Sequence, residues 1–332
     1  MQVNVPYSHD KRGVSSPDLP EDVVRQIVPP LPEILTAVCS ACRTTMLPFL
    51  DTRDYNRGIS QQEFRYCRCP GCGLVSLVNI PSDLQPYYLP GYYLLPSSEH
   101  AVERGLLHER YKIELLQRYA KSGRMLEIGP SWGAFCLLAS RAGFTVEAIE
   151  MDRDCCDFLT TKLGIRAIHS KDECAALGEV SPPDVIAMWH VIEHLRNPWT
   201  LLARAAELLV PGGILVVATP NTEAIQFGVF GRRWTHVDAP RHVHLIPSTV
   251  LRLKLKELGL EELMVTTTDP GSLGWNSFGW SFSLANLARR TMVRRLLRLI
   301  GNIPALLFSP IERQEGKGAA YTAIFRKPLA RR

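Results

Sequence analysis

Arg124-Met-Leu-Glu-Ile-Gly-Pro-Ser-Trp-Gly133, followed by Thr145-Val-Glu-Ala-Ile-Glu150, decides the fold of this chain. A short apolar run feeds a glycine-containing turn, a helix follows, and a second apolar run ends in an acid. The pattern is that of a β–turn–α–β unit. Its glycines let a ligand approach the backbone, the start of its helix presents free N–H groups, and the terminal acid can hold two ribose hydroxyls. An adenosine-containing ligand is therefore expected. A nicotinamide dinucleotide is disfavoured, because Gly129-Pro-Ser-Trp-Gly133 lacks the Gly-x-Gly-x-x-Gly spacing that receives a pyrophosphate.

Outward from this unit, strand-like runs alternate with helical stretches. Met125–Ile128, Val146–Ile149, Ile165–Ile168, Val185–Met188 and Ile214–Ala218 read as strands, and 133–142, 153–163 and 198–209 as helices. The last helix starts at Pro198 and stops at Pro211-Gly212-Gly213. Such alternation implies a parallel sheet with right-handed crossovers, its ligand lying at the carboxyl ends of the strands. Before the sheet, 102–120 has helical spacing; after it, Ser248 caps a helix, Leu263–Thr268 reads as a strand and Tyr321–Arg326 as the last strand.

The N-terminal part has a different composition. Cys39/Cys42 and Cys69/Cys72 form two Cys-x-x-Cys pairs, each able to present two thiolates from one tight turn. Two such turns complete the tetrahedral four-sulfur site of a structural zinc. Cys67 is a spare that could stand in for Cys69. Prolines 81, 86, 90 and 96, interleaved with Tyr87-Tyr88 and Tyr92-Tyr93, favour an extended linker whose tyrosines either pack or line a cleft.

Taken together, these motifs resemble the class I S-adenosylmethionine-dependent methyltransferases, in particular those that join an N-terminal four-cysteine zinc ribbon to the methyltransferase domain. Cys69-Pro-Gly-Cys72-Gly-Leu-Val, Leu126-Glu-Ile-Gly129 with Gly133, Glu150, Trp189-His-Val-Ile-Glu-His194-Leu, Leu209-Val-Pro-Gly-Gly213 and Thr219-Pro-Asn221 carry the likeness, which runs from about residue 37 to 327. Ser131 departs from it, standing where the family has a glycine. The resemblance implies an α/β, Rossmann-like fold: a seven-stranded, mostly parallel sheet with an antiparallel last strand, preceded by a small zinc ribbon. It implies S-adenosylmethionine as cofactor, with Glu127, Gly129 and Gly133 in the motif beside its methionine part, Glu150 on the ribose and Met151 against the adenine. Trp189 and His190 would flank the ligand where the acceptor enters.

His190-Val-Ile-Glu193-His194 also matches a reversed zinc-protease motif, but that motif needs both histidines on one helix, and position 190 ends a strand. In related ubiquinone-pathway O-methyltransferases an acid and the Glu-His pair hold a divalent ion; here His190 replaces the first acid. Methyl transfer to a hydroxyl needs alignment and a base, for which histidine is suited. His194 and His242 are the candidate catalytic pair. The segment Arg232–His244, dense in charge, aromatics and imidazole, is the candidate acceptor wall through Trp234, His236, Asp238 and His244.

The domain reading is a flexible segment 1–36, a zinc ribbon 37–80, a Pro/Tyr linker 81–100 and a methyltransferase domain 101–328 with a basic amphipathic insertion at about 280–312. In 282–300 one face repeats Leu284, Leu287, Val293, Leu296, Leu297 and Ile300, while the other carries five arginines that match the whole net charge of +5. The positive charge is thus local, so nucleic acid is not an expected partner. Region 282–308 either packs on the core or rests on an anionic membrane. No apolar run reaches the ~20 residues of a membrane helix, and no apolar leader is visible. With nine cysteines read as reduced thiols or ligands, the cytoplasm is expected, with peripheral membrane contact as an option. The expected acceptor is a small molecule or glycan, first a sugar hydroxyl. A quinone or lipid head group is the alternative, and a non-catalytic docking protein the rival from another class. Oligomeric state is not legible.

Overall fold

Why the chain folds as it does is visible first in its β–α alternation. The buried runs Met125–Ile128, Val185–Trp189 and Ile214–Pro220 carry apolar side chains on both faces, as strands covered by helices on both sides must. The computed structural model describes residues 27–29, 37–89 and 92–329. Most of the expected flexible segment 1–36, and Pro90 of the linker, lie outside the described residues.

Three strands come first: β1 (Leu47–Thr52), β2 (Phe64–Arg68) and β3 (Val75–Leu77). The α/β layer follows as α1 (Glu99–Leu116), β4 (Gly123–Ile128), α2 (Ala134–Arg141), β5 (Phe144–Glu150), α3 (Arg153–Leu163), β6 (Arg166–His169), α4 (Glu173–Ala176), β7 (Val185–Trp189), α5 (Pro198–Leu208) and β8 (Ile214–Pro220). Next come α6 (Ile225–Phe230), β9 (His244–Leu245), α7 (Ser248–Glu257) and β10 (Glu261–Thr266). The chain ends through α8 (Pro270–Ala285), α9 (Thr291–Ile300), α10 (Asn302–Glu312) and β11 (Ala320–Arg326).

The large sheet has the order β10-β11-β8-β7-β4-β5-β6, parallel except for β11, which runs antiparallel to both β8 and β10. Strand order reverses at β4, between β5 and β7, and a crevice opens there at the carboxyl ends. The fold is the Rossmann-like methyltransferase architecture.

The second sheet, β1-β2-β3-β9, joins two distant parts of the chain. Val75 and Ser76 of β3 pair with Leu245 and His244, so the segment after β8 completes the cysteine-bearing sheet. One core cluster accordingly contains Cys39, Met46 and Leu74 together with Leu202, Ile246 and Leu251.

Two local expectations change. Ser248 is the first helical residue of α7 and makes no capping bond; Pro247 holds the cap position instead. The single helix read over 282–300 is broken between Ala285 and Thr291. Asn286 makes the break: its amide N–H group donates to Asn56 Oδ1 (2.8 Å) and the Arg233 carbonyl (3.2 Å), while its oxygen accepts from Arg294.

Candidate active site

The loop after β4 determines the first wall. Gly129 has φ +67° and Ser131 φ +56°, both in the left-handed region. A side chain at Gly129 would meet Val191 Cγ2 at 2.7 Å, so only glycine fits. Ser131, the residue that departs from the family pattern, accepts its strained angle while its N–H donates to Glu150 Oε2 at 2.9 Å. The second Glu150 oxygen accepts the Asp152 N–H at 2.8 Å. A carboxylate oxygen can accept about two hydrogen bonds, so each Glu150 oxygen has one acceptor position left, the number a pair of ribose hydroxyls requires.

Glu127, Gly129, Ser131, Glu150, Met151, Trp189, His190 and His194 line one cavity of about 380 Å³, within the range of small-ligand sites. Trp189 lines this cavity, and its buried indole N–H has no hydrogen-bond partner among the described residues. Burial raises Glu127 and Glu150 to about 7. Glu127 also accepts the Cys136 thiol at 2.9 Å. An adenosine sulfonium compound suits this set, which places two buried acids, Glu127 and Glu150, in one cavity.

Gly133 stands just off the cavity. It caps α2 at φ +88°, and a Cβ there would sit 2.3 Å from Leu159 Cδ2, so its role is close packing of helices α2 and α3.

Aromatic side chains line the same cavity: Tyr88, Tyr92, Tyr93 and Trp275, with His108, Tyr111 and Lys112 from α1. The residues from α1 were not singled out in the sequence, which gave 102–120 only a helical spacing. Tyr87, by contrast, is buried against Phe64 at 5.9 Å between ring centroids. The linker tyrosines thus divide between packing and the cavity.

His194 and His242 meet edge to face, ring centroids 4.6 Å apart. Nδ1 of His242 lies 2.7 Å from the His236 carbonyl, and Nδ1 of His194 lies 3.1 Å from the Arg241 carbonyl. A carbonyl can only accept, so each Nδ1 carries the proton and each Nε2 keeps its lone pair. Tyr88 O–H also approaches His194 Nδ1 at 3.1 Å. Desolvation lowers both imidazoles, His194 to about 4. Both rings are therefore neutral near pH 7. Glu193, fully buried, accepts from Thr219 Oγ1 at 2.9 Å, while its other oxygen lies 3.3 Å from His190 Nδ1. Glu193, His194 and His242 offer three ligand atoms within 4.8 Å of one another. His242 thus stands beside the Glu-His pair as the third possible ligand, where the resemblance had pointed to residue 190.

His236, Asp238 and His242 line a neighbouring pocket of about 20 Å³ with Arg57, His190 and Glu193. Burial lowers His236 to about 3. Desolvation pushes Asp238 up, but the charge and hydrogen bonds of Arg241, with smaller contributions from His242 and Arg57, together outweigh it and hold Asp238 well below the usual carboxylate range. Arg241, fully buried, is shared between Asp238 (2.8 Å) and Asp54 (2.6 Å). Two expected acceptor residues stand outside both cavities. Trp234 stacks on Phe227 at 5.0 Å and donates to Gln226 Oε1. His244 bonds Ser76 Oγ at 2.8 Å inside the small sheet.

The four cysteines converge. Cys39 and Cys72 sulfurs are 3.6 Å apart, Cys42 and Cys69 sulfurs 3.3 Å, and all four lie within 4.8 Å. Sulfurs each about 2.3 Å from one tetrahedral ion stand about 3.8 Å apart, so the spacing suits zinc. Hydrogen bonds from Thr44 lower Cys42 to about 6. Cys67 is buried on β2 and belongs to no such cluster.

Residues 100–265 match a family profile described as a methyltransferase domain. The ubiquinone biosynthesis O-methyltransferase of Maricaulis maris is 28% identical over 179 residues, covering 48% of this chain and 66% of that protein. Its counterpart from a Caulobacter species is 32% identical over 104 residues, covering 30% and 41%. The chain thus spans about two thirds or less of these curated relatives. Among solved structures, a SAM-dependent methyltransferase from Archaeoglobus fulgidus is similar at TM-score 0.46 and 19% identity, covering 68% of this chain and 94% of that one.

Proposed function

The chain belongs to the methyltransferase domain family, and we propose that it transfers the methyl group of S-adenosylmethionine to a hydroxyl of a small aromatic acceptor of quinone type. One observation carries this reading: Glu150, the Gly129–Ser131 loop, Tyr88, Tyr92, Trp275 and His194 all line a single cavity. Glu150 would hold the ribose, Met151 would lie against the adenine, and Glu127 and Trp189 would orient the methionine part. The bound sulfonium supplies an already activated methyl group. The aromatic wall stacks a flat acceptor ring and holds its oxygen in line, which is most of what such a transfer asks of a protein. His194 or His242 takes the hydroxyl proton on Nε2, and the buried Glu193 carboxyl beside them stabilises the imidazolium that forms.

The same three residues, Glu193, His194 and His242, have the donor chemistry to hold a divalent cation, which would lower the pKa of a bound hydroxyl. Cys39, Cys42, Cys69 and Cys72 would hold a structural zinc. A sugar acceptor rests on family resemblance alone. The names of the curated relatives favour the quinone class instead, as does the aromatic wall.

The test incubates the full chain with labelled S-adenosylmethionine and either a prenylated dihydroxybenzene or a nucleotide sugar, with the product identified by mass spectrometry. Label on the aromatic oxygen is expected. Label only on the sugar would overturn the acceptor class. Calorimetry without any S-adenosylmethionine binding would overturn the enzyme reading and leave a docking protein.

A further inference from the structure

Helix α9 is mounted with its apolar side outward. None of its residues is buried, and Met292 and Leu299 are 76% and 71% exposed. Its inward positions are Arg294, Leu297 and Arg298. Arg294 donates to the Tyr55 carbonyl (3.1 Å) and Asn286 Oδ1 (3.2 Å), and the Arg298 guanidinium lies over the Phe282 ring at 4.4 Å. After Gly301 the exposed surface continues along α10, where Leu306 is 77% exposed beside Ile303 and Leu307. The opposite side of α10 is anchored: Phe308 stacks on Trp280 at 4.9 Å, and Ala305 and Glu312 are buried. The outward side chains are therefore held there by the packing of the inward ones. So large an exposed apolar face on a well-anchored element marks an interaction surface.

The surrounding charge identifies the partner. Residues 270 to 311 contain no aspartate or glutamate, while Arg289, Arg290 and Arg295 are exposed at the border of the face. We propose that α9 and α10 form a membrane-docking surface that lies in the interface of an anionic bilayer, its leucines in the acyl boundary and its arginines on lipid phosphates. A second copy of the chain is a poorer occupant. Apposing two identical faces would bring like-charged arginine borders together with no acid within 270–311 to pair them. At about 1.5 Å per residue, the two helices are about 15 and 16 Å long. No helix among the described residues is long and apolar enough to cross a membrane. Helix α8 connects the surface to the cavity: Trp275 lines the cavity, while Trp280 and Phe282 hold α10 and α9. The inference stands apart from the choice of acceptor.

The test is flotation of the full chain with vesicles of phosphatidylcholine alone or with phosphatidylglycerol added. Binding to the anionic vesicles is expected, with an affinity that falls with salt. Each exposed arginine near such a surface contributes about fivefold, so Arg289→Gln/Arg290→Gln/Arg295→Gln should weaken partitioning by roughly 100-fold. Leu296→Ser/Leu299→Ser/Leu306→Ser should abolish it. All six positions are exposed, so both variants should melt as the wild type does. Failure of the wild type to bind, or undiminished binding by the serine variant, overturns the proposal. So does a wild-type dimer in light scattering that the serine variant converts to monomer, because a second copy would then cover the face. Donor binding measured on the same variants should be unchanged and reports separately on the catalytic reading.

Discussion

Glu150→Gln offers a direct test of the proposed ribose clamp. Desolvation raises this acid to about 7, although the N–H groups of Asp152 and Ser131 favour its ionised form. An ionised carboxylate has about four lone-pair sites; two N–H groups take two of them and leave two for a pair of hydroxyls. A protonated acid must donate from one oxygen and loses that match, so ligand binding selects the carboxylate. In the free protein about a tenth of the molecules carry it at about pH 6 and about nine tenths at about pH 8. Affinity for S-adenosylhomocysteine should therefore rise roughly tenfold over this window. Calorimetry in buffers of different ionisation enthalpy should show a proton released on binding at the acid end. The glutamine variant cannot titrate. It should lose the slope and, through the weakened charge-assisted bonds, bind by about 1.5–3 kcal/mol less at about pH 8, roughly 10- to 150-fold. A wild type with no slope refutes the reasoning. A variant that keeps the full slope does so too, because the titrating group would then be another, with Glu127 the first suspect.

Whichever of His194 and His242 is the base, its glutamine variant should lower kcat by about 10²–10⁴, the range of general-base removal, while donor affinity stays within about threefold in both variants; an equal loss in donor affinity would reassign them to binding. Arg241→Met leaves Asp54 and Asp238 buried without their cation and should cost about 3–5 kcal/mol in denaturant unfolding. An unchanged unfolding midpoint would show that the network is solvated in solution. Metal analysis should return about one zinc per chain, lost in Cys42→Ser and Cys69→Ser and retained in Cys67→Ser; retention in Cys69→Ser would make Cys67 the ligand.

The sheet and the turns that bring Gly129 and Glu150 to the cavity were legible because their signals are local. Apolar runs of strand length, the left-handed Gly129 and the acid at the end of β5 each declare themselves within a few residues. The orientation of α9 was not legible. Helical periodicity says that Leu296 and Leu299 share a face, but the core-facing side is chosen by tertiary contacts, here Asn56, Asn286 and Phe282, which receive the arginines instead. The cavity residues of α1 were hidden for a similar reason. A polar helix face beside a ligand cavity has the same composition as one beside water. Strand β9 escaped because two residues carry no periodicity at all.

Residues 231–247 explain why the cysteine-bearing segment is more than an appendage. This stretch contains little regular structure, yet it buries His236, Arg241, His242 and His244. Buried polar groups need partners, and much of what this stretch lacks comes from residues 52–79. Asp54 neutralises Arg241, Asn56 donates to the Thr235 carbonyl at 2.7 Å, the Tyr66 hydroxyl donates to the His242 carbonyl at 2.6 Å, and β3 pairs with β9. Glu193 binds in from the other side, its carbonyl accepting the Val243 N–H at 2.7 Å. The histidine pair is thereby set between two layers, His194 by the strand-to-helix loop after β7 and His242 by the small sheet. Whatever folds the four-cysteine segment also positions His242. The Gly129–Ser131 loop and Glu150, seated on β4 and β5, are positioned by the large sheet.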